Sequence, residues 1–319
     1  MDMNPLETRL KTLTLRSPLL TASGTSGSSD EILALRGARG ILRALGAFVS
    51  KGVTIEPRKG NPEVRVIETR GGLLNSIGLQ NNGVRTFMRD ELPKLLAYRL
   101  PVIVNISAAS IEEFAALTER LTSLDTDRSI AGLEINVSCP NIAAGGAVFG
   151  SNPVMVRKVV RAVRKQARRD MLAIVKLSPN VANIVEPARA AIEGGADALS
   201  MINTLRGAAI DIGTRRFALG NRIGGLSGPA IKPVGLYMVA ECFRSIPACR
   251  DGRVPIIGIG GVACWEDALE YVMAGAAAVA IGTAWFADPH VFVRIRDGLR
   301  RYCREHSASL AELRGCAHA

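Results

Sequence analysis

No run of apolar residues in this 319-residue chain approaches the ~18 needed to span a bilayer. The first residues, Met1 to Arg9, mix polar and charged groups and contain no apolar h-region, so no secretory signal is expected. Cysteine is scarce and scattered. There are six residues, no Cys-x-x-Cys pair, and no Cys/His grouping with zinc or iron–sulfur spacing. Reduced thiols and a cytoplasmic location are the simple expectation. Histidine is scarcer still, and His290, His306 and His318 all fall late in the chain. No Gly-x-Gly-x-x-Gly follows the first apolar run, which counts against a doubly wound dinucleotide fold. No low-complexity linker divides the sequence. One domain is therefore expected over residues 1–305, followed by a tail over 306–319 that forms a partial helix and then frays.

What is present is a repeat of strand, turn and helix. Short apolar, β-branched runs end in Ser, Gly, Asn or Lys, and an amphipathic stretch follows each. The runs are Pro18–Ala22, Ala47–Ser50, Val102–Ile106, Leu133–Val137, Ala173–Leu177, Ala198–Ile202, Pro255–Ile259 and Ala278–Ile281. They are apolar throughout rather than alternating, the pattern of parallel strands buried on both faces. Eight such units predict an α/β fold, a (β/α)8 TIM barrel. A small hairpin over Lys11 to Leu15 would plug its floor. Two Gly-rich segments, Thr54 to Gln80 and Leu205 to Gly228, exceed what a barrel needs and belong as long loops on the C-terminal face.

The net charge is +11. The largest basic cluster is Arg157, Lys158, Arg161, Arg164, Lys165, Arg168 and Arg169, with Val156, Val159, Val160 and Val163 on the opposite helical face. That pattern reads first as a solvated amphipathic helix and second as a docking surface. Nucleic acid or an acidic protein would suit the charge.

In a barrel, the residues that close the strands converge on one mouth. Here they are Ser23, Lys51, Asn105, Asn136, Cys139, Lys176, Asn203, Gly260, Gly261, Gly282 and Thr283. Gly260-Gly261 and Gly282-Thr283 close the seventh and eighth strands, the usual phosphate place of this fold, although simple tight turns would look the same. Lys51 and Lys176 end buried strands and call for an anionic partner, either a ligand or a loop carboxylate. The rim is otherwise lined by neutral amides: Asn75, Asn105, Asn136, Asn141 and Asn203. Amides donate and accept, which suits an amide- or imide-bearing ring. Cys139 is held between Val137-Ser138 and Pro140, which ends the strand. It reads either as a buried structural thiol or as the one candidate for proton chemistry.

Taken together these residues resemble class 1 dihydroorotate dehydrogenases. The resemblance rests on Ala22-Ser23-Gly24, Asn75 to Asn81, Asn136 to Asn141, Lys176 to Asn180, Asn203-Thr204, Gly225 to Pro233, Gly258 to Gly261 and Gly282-Thr283. The Gly225 to Pro233 stretch, with Gly145-Gly146 and Phe149-Gly150, is most similar to subclass 1B. Ser26 to Ser29, and the single Pro in Gly60 to Arg65, depart from the family pattern.

The resemblance implies an FMN-dependent oxidation of dihydroorotate to orotate in pyrimidine (UMP) biosynthesis. Cys139 would be the general base and FMN N5 the hydride acceptor. Substrate contacts carry over to Lys51, Asn75, Ser76, Ile77, Gly78, Leu79, Asn136, Asn203 and Thr204. FMN contacts carry over to Ser23, Lys51, Gly52, Asn105, Asn136, Lys176, Ile202, Gly228, Gly260, Gly261, Gly282 and Thr283. The subclass implies a partner subunit with FAD and a 2Fe-2S cluster, NAD as final acceptor, and a homodimer or heterotetramer, with no metal in this chain. Two other flavin barrels remain as alternatives, tRNA dihydrouridine synthase and a dihydropyrimidine dehydrogenase-like domain.

Overall fold

The computed structural model describes residues 4–138, 140–141 and 147–319. Eight strands form one parallel sheet: β1 (Leu19–Thr21), β2 (Phe48–Val49), β3 (Val102–Ile106), β4 (Ile130–Asn136), β5 (Leu172–Lys176), β6 (Ala198–Met201), β7 (Ile256–Ile259) and β8 (Ala278–Ile281). Each pairs with its neighbour in chain order, and β8 pairs with β1. A parallel bridge from Leu20 to Ala47 joins β1 to β2 and closes the barrel.

The strands are apolar on both sides because both sides are covered. Val102, Val104, Ile106, Leu133 and Ile135 face outward into the layer beneath the helices. Ile103, Ile174, Ala198, Ile257 and Ala280 face the barrel axis. Leu10 and Leu15 join that inner cluster, both fully buried. They come from a hairpin that pairs Thr8–Leu10 with Leu13–Leu15. The hairpin therefore starts three residues earlier than the predicted plug, with Lys11 in its turn. Lys11 pairs with Asp197, which also accepts from Arg164 (3.2 Å) and from the Ala173 N–H (2.9 Å).

The basic helix is Pro153–Gln166, capped by Asn152, whose side chain accepts from the Val154 N–H at 2.9 Å. Val156, Val159, Val160 and Val163 are fully buried, while Val154 in its first turn is exposed. Two of its cations are spent locally: Arg157 on Glu193 (3.0 Å) and Arg164 on Asp197.

The two long segments are not plain loops. They contribute Val66–Thr69, Gly72–Asn75, Leu205–Ala208 and Ile223–Ser227 to a four-stranded antiparallel sheet over the C-terminal mouth. Each segment pairs with itself, Val66–Thr69 with Gly72–Asn75 and Leu205–Ala208 with Ile223–Ser227, and a third pairing, such as Asn75 with Gly225, joins the two across some 150 residues. The tail also differs from expectation, because it packs rather than frays. Ser309 and Glu312 form a capping box, Leu310 is buried, and its N–H bonds Pro5 O at 3.0 Å. Gly315 N–H bonds Val272 O at 3.0 Å. Among the described residues no helix is long and apolar enough to cross a membrane.

Candidate active site

A cavity of about 1130 Å³ opens at the C-terminal ends of the strands. Ser23, Lys51, Gly52, Asn75, Ser76, Ile77, Gly78, Leu79, Asn105, Asn136, Lys176, Asn203 and Thr204 all line it. Ile202, Gly228, Gly260, Gly261, Gly282 and Thr283 lie just behind that wall. Thr283 Oγ1 donates to Ser227 Oγ at 2.8 Å, and Ser227 lines the cavity. A Cβ at Gly261 would sit 3.0 Å from Gly228 O, and one at Gly228 would sit 3.5 Å from Thr283 Cγ2. A Cβ at Gly260 would sit 3.4 Å from Ile202 Cγ1. The glycine turns that end β7 and β8 thus share one corner of the mouth. Cys139 lies outside the described residues, which bring its neighbours Asn136 and Ser138 to the cavity wall. The three histidines do not line the cavity.

The amides are held by one another and by backbone. Asn203 Nδ2 donates to Asn136 Oδ1 (3.3 Å), and Asn136 Nδ2 donates to Ser107 Oγ (3.3 Å). Asn75 Nδ2 donates to Gly225 O (3.1 Å), which ties the rim to the overlying sheet. Asn61 supports the Asn75–Leu79 loop from outside by donating to Ser76 Oγ at 2.9 Å. Gly78 leaves the room this needs, since a Cβ there would sit 2.5 Å from Asn61.

Beneath the amides lies Glu134, a residue passed over in the sequence. It is 2 % exposed inside the barrel. Asn105 Nδ2 donates to one carboxylate oxygen at 2.6 Å and Ser200 Oγ to the other at 2.8 Å. The signal was present in the strand alternation, because Glu134 and Asn136 are two apart and share the inner face. Ser107, Asn180 and Arg206 were also missed. Asn180 Nδ2 donates to Thr204 O at 3.1 Å, and its Oδ1 accepts from the Arg206 N–H at 2.9 Å.

Lys176 is 5 % exposed, and its ammonium has no ion pair or hydrogen bond among the described residues. A loop carboxylate does not neutralise it. Lys51 is half-buried, and its charge reaches Glu91 in the adjoining cleft. Burial pushes the Glu91 carboxyl up, against the Asn82 hydrogen bond and the Lys51 charge.

Several polar atoms at this mouth have no partner among the described residues. Asn105 Oδ1 and Ser138 Oγ are buried and unpaired. The N–H groups of Gly260, Gly261 and Gly282 also make no hydrogen bond. An open face beside Asn105 is kept by Gly52, where a Cβ would sit 3.3 Å from Asn105 Oδ1. An acceptor, an ammonium and a distant set of backbone donors fit a group with a ring N–H, an anionic edge and a phosphate. FMN has all three.

Among the described residues no cluster of metal-ligating side chains occurs. A family model described as dihydroorotate dehydrogenase matches residues 5–302. Three relatives carry the name dihydroorotate dehydrogenase B (NAD(+)), catalytic subunit. The Alkaliphilus oremlandii protein is 47% identical over 293 residues, 92% of each chain. The Geotalea uraniireducens protein is 47% identical over 302 residues, 94% of each. The Geobacter sulfurreducens protein is 45% identical over 316 residues, 99% of each.

Proposed function

Because this chain belongs to the dihydroorotate dehydrogenase family, we propose that it oxidises dihydroorotate to orotate in pyrimidine biosynthesis. Lys176 is the observation that carries the reading: a lysine 5 % exposed that lines the cavity, with no counter-charge among the described residues. Buried unpaired charge is costly, so the site is built for an occupant with an anionic edge.

FMN is the proposed resident group. When bound, it supplies the hydride acceptor for C6 at ring nitrogen N5. Lys176 and Lys51 hold positive charge beside the ring, and Asn105 offers it an acceptor. Ser23, Gly52, Asn136, Ile202 and Gly228 are further proposed FMN contacts, while Gly260, Gly261, Gly282 and Thr283 take the phosphate. Substrate is held by Lys51, by Asn75, Ser76, Ile77, Gly78 and Leu79, and by Asn136, Asn203 and Thr204. The mutual bonding of Asn136 and Asn203 orients their amides before substrate arrives, which reduces the reorganisation needed on binding. Cys139 is the proposed general base. It takes the C5 proton, which is acidified by the adjacent carbonyl.

The relatives are named as catalytic subunits, so a second subunit is part of the proposal. Its FAD and 2Fe-2S cluster, NAD as final acceptor, and a homodimeric or heterotetrameric assembly are the finer parts. The cytoplasm is the proposed compartment, because the five described cysteines are all free thiols and thiols stay reduced there.

The test is anaerobic mixing of FMN-loaded protein with dihydroorotate while the visible flavin absorbance is followed. Bleaching by dihydroorotate supports the reading. Bleaching by dihydrouracil but not by dihydroorotate overturns it. Purification from the native host, with iron and FAD analysis, tests the partner.

A further inference from the structure

Tyr271 lies in the helix Trp265–Met273 between β7 and β8, and it is fully buried. A tyrosine surrounded by apolar residues reads as core, but its hydroxyl is not idle. It donates to Gly260 O at 2.8 Å, with Ile259 O 3.3 Å away. Two glycines make room for it. A Cβ at Gly235, in the helix Lys232–Ser245, would sit 2.2 Å from the Tyr271 oxygen. A Cβ at Gly258, in β7, would sit 2.4 Å from ring carbon Cδ1. Helix and strand both give up side chains to admit this ring at this place.

A trans peptide is planar, and its C=O and N–H point in opposite directions. Gly260 C=O belongs to the same unit as Gly261 N–H, and Ile259 C=O to the same unit as Gly260 N–H. Ile259 O is held a second time, by Ile202 N–H at 2.9 Å. Drawing both carbonyls back into the wall turns the two glycine N–H groups the other way, toward the mouth, where they make no bond among the described residues. The turn needs such a brace because Gly260 (φ +129°) and Gly261 (φ +70°) occupy backbone regions with little preference of their own. Burial pushes the Tyr271 phenol up, so it stays a donor across the working pH range.

We infer that Tyr271 is a positioning residue for the phosphate end of the cofactor, bracing the Ile259–Gly261 turn so that two backbone donors face the phosphate. The inference rests on the FMN reading above. The test uses Tyr271→Phe, which keeps the ring and removes only the hydroxyl. The full-length parent and variant are each reconstituted with FMN and with riboflavin, which lacks the phosphate, and the dissociation constants are read from flavin fluorescence. One neutral hydrogen bond predicts roughly 3- to 10-fold weaker FMN binding in the variant, with riboflavin binding unchanged. The phosphorus NMR resonance of bound FMN should also shift, while the ring absorbance should not. An unchanged FMN-to-riboflavin ratio overturns the inference, as does an equal loss for both ligands, which would mark a packing role. A parent with no preference for FMN over riboflavin overturns the phosphate reading itself.

Discussion

Asn105 gives its amide N–H to Glu134, Nδ2 to Oε2 at 2.6 Å. A carboxylate only accepts, so the amide has one allowed orientation, and its carbonyl oxygen faces the other way. That oxygen is the buried acceptor without a partner among the described residues, at the proposed cofactor place. Glu134 therefore decides whether the rim offers an acceptor or a donor there. Glu134→Ala would strand the Asn105 amide and the Ser200 hydroxyl in the barrel. The cost is on the order of 2–4 kcal/mol for two buried groups losing a partner, and FMN affinity should fall with it. Glu134→Gln keeps an acceptor oxygen and should fall between the parent and the alanine variant on both scales. Urea unfolding and FMN titration of all three proteins check the order. Equal stability and equal affinity in the alanine variant would refute the role.

The proposed base gives a sign for the pH dependence. An ordinary thiol titrates near about 8.5, so only a minor fraction is thiolate at neutral pH. Flavin reduction by dihydroorotate should then rise as pH rises through the thiol's titration. Cys139→Ser should nearly abolish reduction near neutrality while FMN stays bound. Stopped-flow absorbance across pH reads both. A variant that reduces flavin at the parent rate would remove Cys139 from the chemistry.

The barrel was legible because parallel strands covered on both faces leave continuous apolar runs, and those runs are local. Val102–Ile106 and Ala278–Ile281 coincide with the observed strands, and the other six shift by a residue or a few at their ends. The rim followed from the strand ends in the same way. The sheet over the mouth was not legible. Its strands are four or five residues long and partly exposed, and the pairing that joins its two hairpins into one sheet spans some 150 positions, which no local pattern marks. Glu134 and Tyr271 hid for a related reason. Each looks ordinary among its sequence neighbours, and each acquires its role from a partner on another strand or turn, Asn105 in one case and Gly260 in the other.

Acid sensitivity should be anchored at Asp125, the C-terminal cap of the helix Ile111–Leu124. Burial alone would raise its carboxyl. Bonds from the Arg168 guanidinium, the Ser129 hydroxyl and N–H, and the Ile130 N–H outweigh burial and hold it below the usual carboxylate range. A depressed carboxyl contributes stability that is present above the unfolded value of about 3.9 and lost as pH falls through the folded value. Asp125→Asn should cost about 2 kcal/mol at neutral pH, and the gap to the parent should close below about pH 4. Thermal unfolding of both proteins from neutral to acid pH measures it. A gap that stays constant with pH would show that the charge on Asp125 contributes nothing.

Lys176 separates stability from function most cleanly. In the protein without cofactor its side chain is largely buried against the cavity and its ammonium has no ion pair or hydrogen bond among the described residues, so it opposes folding. Lys176→Met keeps the length and removes the charge. The cofactor-free variant should be more stable than the parent, by on the order of 1 kcal/mol or about 2 °C in Tm. With FMN bound the sign reverses. A positive charge beside the ring favours the electron-rich reduced form, so its removal should lower the flavin potential. A shift of roughly 30 mV corresponds to about 1.4 kcal/mol for two electrons. Stability measured without cofactor and potential measured with it should move in opposite senses, as expected where a site carries a group that the fold alone would reject. A cofactor-free variant less stable than the parent would mean that Lys176 is already neutralised in the free protein, and the case for an anionic occupant would lose its main support.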